Sequence, residues 1–300
     1  MNLMDDICGC YLKKRIGRSF AGIAILSLVH LTDALVIYPH ARIAQEYIGY
    51  VLEVRGNWLL NDESTPLSVG KKLPAGGKIT IKPGDENSAG IVIVNNTGGV
   101  LFQRRCRVKG ECDQTIQLPP QPRNDKPVWS QIVKATMEIL WRESKKFTSF
   151  ISKGNESMVD GIVGLEDGKI DVSHIFARMP EKEYLLKLKP LLPERKIEPA
   201  LLSFTWRGEN PARIKLDGID PGLYELQQWN SEYQGPVAEA WVLIVNSADY
   251  RKKIAAYQES QPLIDQLRGQ SKDGKQVVAK ETIRNFLRAY LYSLAESANK

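Results

Sequence analysis

The chain has 300 residues, of which 43% are hydrophobic, 25% charged and 8% aromatic. Those values exclude a disordered tail or low-complexity polymer and permit a substantial core spread over two or three modest domains. The formal net charge is +6, yet the first 44 residues hold five Lys or Arg against three Asp or Glu. The excess over the rest is small and scattered, whereas nucleic-acid recognition needs a concentrated basic face; nucleic acid is not an expected partner.

Lys13, Lys14, Arg15 and Arg18 precede the apolar run Phe20–His30, the order of an export signal. A spanning helix needs about 20 apolar residues, and Asp33 interrupts this run. Residues 1–44 are therefore expected to be a signal peptide cleaved after Ala41 or Ala44, or else a retained membrane anchor, and the protein to be extracytoplasmic. A buried amphipathic helix of a cytosolic protein is the alternative. Cys8 and Cys10 would leave with a cleaved signal, so only Cys106 and Cys112 remain. Lys109-Gly110 between them suits a tight turn, which makes a hairpin disulfide the expectation in an oxidising compartment and free thiols the alternative.

From Ile48 to Leu118 short apolar pieces (Tyr50–Val54, Trp58–Leu60, Lys78–Lys82, Ile91–Val94, Gly99–Gln103) alternate with Gly, Asn, Asp and Pro, the pattern of short strands and frequent turns. Gly49-Tyr-Val-Leu-Glu-Val-Arg-Gly56 followed by Leu67-Ser-Val-Gly-Lys-Lys-Leu-Pro-Ala-Gly-Gly-Lys-Ile-Thr80 resembles the extracytoplasmic β domain of FecR-type proteins. The resemblance covers roughly 70 residues and implies a non-catalytic β unit over 45–118, used in signalling or in sensing envelope ligands. FecR regulators also carry a cytoplasmic segment that engages a sigma factor. The residues ahead of Phe20 are too few for such a unit, and Lys82–Val94 departs from the family's usual sequel.

Leu118–Pro127 packs four prolines into ten residues, which favours an extended linker, and Trp129–Phe147 has helical spacing. Residues 119–159 are thus read as linker and connector helix. Across 160–246 six strands are expected at Gly161–Leu165, Tyr184–Lys189, Leu201–Trp206, Ala212–Leu216, Leu223–Gln227 and Ala240–Val245, suggesting a β-sandwich. The run Asp220-Pro-Gly-Leu-Tyr224 resembles a corner common in immunoglobulin-like sandwiches. Residues 247–300 have helical spacing, with Val278, Ile283, Phe286, Leu287, Tyr290, Leu291 and Leu294 on one stripe. The expected fold class is mainly β with helical additions: two β domains, a connector and C-terminal helices.

Candidate chemistry is sparse. His174 is the only histidine after residue 44, and beside Asp171 and Asp160 it lacks the Gly-x-Ser-x-Gly elbow of a hydrolase. Ser68-Val-Gly-Lys71 has the Ser-x-x-Lys spacing but falls on a glycine turn rather than a helix. Asp167–Asp171 lacks the ligand ladder of a calcium loop, and no phosphate-binding glycine motif occurs. No cofactor or metal is expected. The reading is a non-enzymatic binding or scaffolding protein of the bacterial envelope whose partner is an envelope protein or glycan. Candidate contact residues are Trp58, Trp229 and Tyr233, because exposed rings bury large area at small entropy cost. The alternatives are an anchored FecR-like regulator, touching the membrane only through an uncleaved N-terminal segment, and a glycan-processing enzyme with two carboxylates about 5 to 9 Å apart.

Overall fold

The computed structural model describes residues 47–82, 84, 89–106, 115–120, 130–143, 147, 158–194, 201–216, 218–230, 236–269 and 278–297. All of them belong to one compact unit, Ala44–Lys300. The expected export segment lies outside the described residues.

The first β unit contains seven strands: β1 (Tyr47–Arg55), β2 (Trp58–Leu60), β3 (Lys72–Pro74), β4 (Lys78–Ile81), β5 (Gly90–Asn95), β6 (Val100–Arg105) and β7 (Ile116–Gln117). They form a four-stranded antiparallel sheet in the order β3-β1-β5-β6 and a small sheet β2-β4-β7. Val51, Ile91 and Ile93 face the small sheet and pack with Trp58, Leu60, Ile79 and Leu118. Their neighbours Tyr50, Leu52, Val92 and Val94 point the other way, into a second core. Because successive strand residues alternate faces, a strand buried on both sides reads as a continuous apolar run, which is why Gly90–Val94 does not alternate.

The second core is helical on its other side. Helix α1 (Ser130–Arg142) contributes Val133, Met137 and Leu140. A later sheet comprises β8 (Gly161–Glu166), β9 (Lys169–Asp171), β10 (Lys182–Leu192), β11 (Leu201–Trp206), β12 (Arg213–Lys215), β13 (Gly222–Trp229) and β14 (Pro236–Asn246), with the one-turn helix α2 (Ser173–Phe176) between β9 and β10. The chain ends with α3 (Ser247–Glu259), α4 (Gln261–Arg268) and α5 (Lys280–Glu296). Leu263, Ile264, Phe286 and Leu291 of the last two helices join Ile162, Leu223, Trp241, Leu243 and Val245 of the later sheet in the same core as Tyr50 and Val92. The two β units thus share one apolar layer of helices, and the residues expected as separate domains fold as one body.

All six strands expected after residue 160 occur, but not as two facing sheets. They lie in a single sheet ordered β11-β10-β13-β14-β8-β9-β12, in which β14 and β8 run parallel. Both ends of this sheet feed one interior: Phe204 and Trp206 from one edge strand and Ile214 from the other pack with Ile170, Tyr184, Leu226 and Val242. Only a strongly curled sheet brings its edges onto one core. Phe176 of α2 plugs that interior, with ring centroids 5.3 Å from Tyr184, 5.2 Å from Phe204 and 5.9 Å from Trp206. Asp167-Gly168, both at positive φ, closes the β8–β9 hairpin, so this acidic segment is a tight turn.

Sharing a core makes the unit cooperative. The protein is expected to unfold in one thermal transition by circular dichroism and calorimetry, and Leu243→Ala in the second β unit to cost about 2–5 kcal/mol. The same variant is expected to lower the midpoint reported by a probe on β5. Two separable transitions would show that the β units are independent.

Candidate functional site

An open groove of about 450 Å³ runs between the β2–β3 side of the first β unit and the end of α1, lined by Tyr47, Leu60, Asn61, Glu63, Lys72 and Trp141 among others. Its position depends on Gly70, whose φ of 82° favours glycine. A Cβ there would lie 2.8 Å from the Trp141 Cβ and 2.7 Å from the Met137 carbonyl oxygen, so only glycine lets this loop press against the last turn of α1. Lys71 is thereby placed with its Nζ 5.8 Å from the Trp141 ring centroid, while Lys72 sits 5.8 Å from that of Tyr47. Both rings remain open, Trp141 at 49% and Tyr47 at 42% exposure. Glu63, Glu138 and Asn61 add acceptors around an apolar floor of Leu60 and Pro74. Two rings, two ammonium groups and a few acceptors form a surface for stacking and hydrogen bonding.

A different chemistry lies beneath α5. Arg288, 2% exposed, donates from Nε to Asp160 at 3.3 Å and from Nη1 to Glu239 Oε1 at 2.9 Å, with its guanidinium over the Trp241 ring. Arg284 Nε donates to Asp160 Oδ2 at 3.1 Å and its Nη2 to the Glu239 carbonyl. Asp160 also accepts from the Trp241 amide at 2.7 Å. Beside them Glu225 is fully buried, with Lys189 Nζ 3.6 Å from Oε2 and the Gln227 amide donating to the same oxygen. Burial first and the neighbouring Glu239 second raise the Glu225 carboxyl above its ordinary value, while Lys189 and Arg288 pull it down. Glu225 and Glu239 are neighbouring carboxylates in side-chain contact, both buried, a closer approach than the separation a glycan-processing pair requires. Among the described residues Glu225 Oε1, Arg288 Nη2 and Trp241 Nε1 find no hydrogen-bond partner.

The histidine region is a second groove, of about 520 Å³, lined by Asp171, Ser173, His174, Glu181, Trp206 and Glu209 among others. Ser173 Oγ donates to Asp171 Oδ1 and accepts from the Ala212 amide at 2.7 Å, which is a turn motif and not an activated nucleophile. His174 Nε2 instead lies against the backbone of Gly161, 2.4 Å from where a Cβ would stand. Ser68 and Lys71 are joined through their backbones in a tight turn, Lys71 N donating to Ser68 O.

Of the sequence candidates, Trp58 requires correction: it is 0% exposed, donates from Nε1 to the Arg55 carbonyl, and belongs to the core between the two small sheets. Trp229 is half-buried, pinned by its Nε1 bond to Gln227 Oε1 at 3.1 Å and by Lys187 at 4.8 Å from its ring centroid. Tyr233 lies outside the described residues. Cys106 is buried and disulfide-bonded, and Cys112 lies outside the described residues. Sequence reasoning missed Tyr47 and Trp141. The only signal for Trp141 was its place at the very end of the apolar stripe of α1, where the helix runs out of core to pack against.

Because folding raises the Glu225 pKa, the native state holds this proton more tightly than the unfolded chain does. Stability is therefore lost as pH rises from the ordinary value of 4.5 through the raised one. Glu225→Gln removes that loss, so its thermal midpoint is expected to gain on the wild type between pH 5 and pH 8; an unchanged difference would refute the assignment. Arg288→Ala leaves the buried Glu239 carboxylate without its arginine, while Asp160 keeps Arg284, and is expected to cost about 3–5 kcal/mol by denaturant titration. The chain matches no family model, no curated protein and no solved structure.

Proposed function

We propose that the chain is a non-enzymatic binding or scaffolding protein of the bacterial envelope, working outside the cytoplasmic membrane, and that its ligand-facing surface is the Tyr47–Trp141 groove. The observation that carries this is the pair of exposed rings facing one open groove, each with a lysine ammonium on its face. Solvent-exposed aromatics beside mixed polar groups are the usual anchors of recognition surfaces. An envelope protein or glycan meets such a surface by burying a ring or stacking a sugar face while hydrogen-bonding Asn61, Glu63 and Glu138.

Two further features support the compartment. The basic cluster Lys13–Arg18 ahead of an apolar run is the layout of an export signal, and a disulfide at Cys106 suits an oxidising environment. Of the FecR-like segments Gly49–Gly56 and Leu67–Thr80, the second supplies Gly70, Lys71, Lys72 and Pro74 of the groove wall. Gly70 within the second of them has the positive φ that the groove requires. Among the described residues no helix is long and apolar enough to cross a membrane.

Intact mass after expression in an exporting bacterial host, with and without reduction and alkylation, tests the compartment. Loss of the residues up to Ala41 or Ala44, together with thiols that alkylate only after reduction, is the expected result; a full-length soluble species with free thiols would sink it. For the surface, Tyr47→Ala/Trp141→Ala is expected to keep the wild-type thermal midpoint within about 1 kcal/mol of stability, since exposed positions contribute little. Retention of envelope protein or glycan fractions on the immobilised chain should drop at least about tenfold, the loss of one or two anchors. Undiminished retention would move the binding surface elsewhere.

A further inference from the structure

The two edges of the curled seven-stranded sheet are built differently. Strand β12 is three residues long and carries Arg213 and Lys215 on its exposed positions, the devices that keep edges from pairing. Strand β11, Leu-Leu-Ser-Phe-Thr-Trp, has six residues with no charge and no proline. It pairs with β10 through six successive partners, Lys182↔Trp206 to Lys187↔Leu201, without the register shifts seen in the β10–β13 and β13–β14 ladders. Leu201 at its start is 58% exposed. A regular, uncharged edge of this length is a template for another strand.

The end of β11 indicates what kind of strand. Trp206 forms part of the groove that also holds Asp171, Glu181 and Glu209, and its described lining includes no Lys or Arg. Gly208, at φ 67°, leaves room for the Glu181 carboxylate, whose Oε1 lies 2.6 Å from where a Cβ at 208 would stand. Trp206, the last residue of β11, lines this acidic groove, so an extended chain paired along the strand meets it at that end. There its backbone finds a strand edge unpaired among the described residues and its basic side chains find carboxylates, a complementarity that selects sign and register.

We propose that β11 and the Asp171–Glu181–Glu209 groove form a second docking surface, which takes an extended, basic segment of a partner protein by strand addition. The surface shares no residue with the Tyr47–Trp141 groove, so the two proposals fail separately.

The test uses the whole chain and a fluorescent nine-residue peptide alternating valine and lysine, read by anisotropy. A peptide with glutamate in place of lysine and a lysine peptide N-methylated at alternate residues serve as controls. The lysine peptide is expected to bind, more weakly as salt rises, and neither control to bind comparably. Glu181→Gln/Glu209→Gln, at exposed positions, is expected to weaken it about tenfold, while Tyr47→Ala/Trp141→Ala leaves it unchanged. Amide exchange should slow within Leu201–Trp206 on binding. Equal binding of the glutamate or N-methylated peptide, an unaltered β11 exchange rate, or loss through Tyr47→Ala/Trp141→Ala would each overturn the proposal. So would sedimentation showing a dimer with β11 already protected, which would assign the edge to a second copy of this chain.

Discussion

The guanidinium of Arg288 is the interaction on which the architecture turns. It is buried against Trp241 and held by Asp160, from the segment entering β8, and by Glu239, from β14. Removing a charge from water costs several kcal/mol, and the cost is recovered only where partners are complete and well placed. The cluster therefore tolerates few alternative seatings of α5, and with α5 fixed the apolar layer between the two sheets is fixed too. The other end of the helix is tied to the first β unit: Glu53 of β1 accepts from Thr282 Oγ1 at 3.1 Å and from the Ala279 amide at 3.4 Å. A carboxylate at a helix N-terminus satisfies amides that the helix itself leaves unpaired and complements its dipole. One helix is thus tied to each β unit through a carboxylate, by ion pairs on one side and by hydrogen bonds on the other.

That constraint positions the proposed binding groove. Helix α1 packs on α5, and the Arg142–Glu296 pair joins their ends. Trp141 is presented at the margin of this helix pair, where Gly70 allows the β2–β3 loop to close in. The groove is a product of sheet and helices together, and neither the first β unit nor α1 alone would make it. The buried carboxylates, by contrast, are used up in holding the fold. Asp160, Glu225, Glu239 and Arg288 lie inside, while the open surfaces offer rings, lysines and an uncharged strand edge.

Curling of the second sheet has a comparable effect. Because both of its edges face one core plugged by Phe176, the strand ends and α2 are gathered around a single rim. His174, Asp171 and Ser173 meet there as neighbours on a turn, so their proximity follows from the hairpin and the short helix that comes after it. The same gathering brings Glu181 and Glu209, from opposite sides of the β10–β11 hairpin, beside Trp206.

Much of the secondary structure was legible beforehand, because periodicity and turn glycines act over a few residues: all eleven expected strands, the connector helix and the C-terminal helices occur. The short strands β3 (Lys-Leu-Pro), β7 (Ile-Gln) and β9 (Lys-Ile-Asp) were missed because each offers a single aliphatic residue beside turn residues, with no apolar run to mark it. Local pattern also misjudged the tryptophans. Trp58 follows the polar turn Arg55-Gly-Asn57 and yet is enclosed by a sheet contributed from β4 and β7, whereas Trp141 lies on an apolar stripe and yet faces solvent. Continuous apolar runs such as Gly90–Val94 and Trp241–Val245 signalled burial on both faces without naming what would cover them. The sequence by itself determined which segments become strands and helices, and that the protein is mainly β with helical additions. Only the tertiary structure decided that two β units share one helical layer, which rings stay open and which carboxylates are sealed, because those outcomes depend on faces meeting across hundreds of residues rather than on neighbours along the chain.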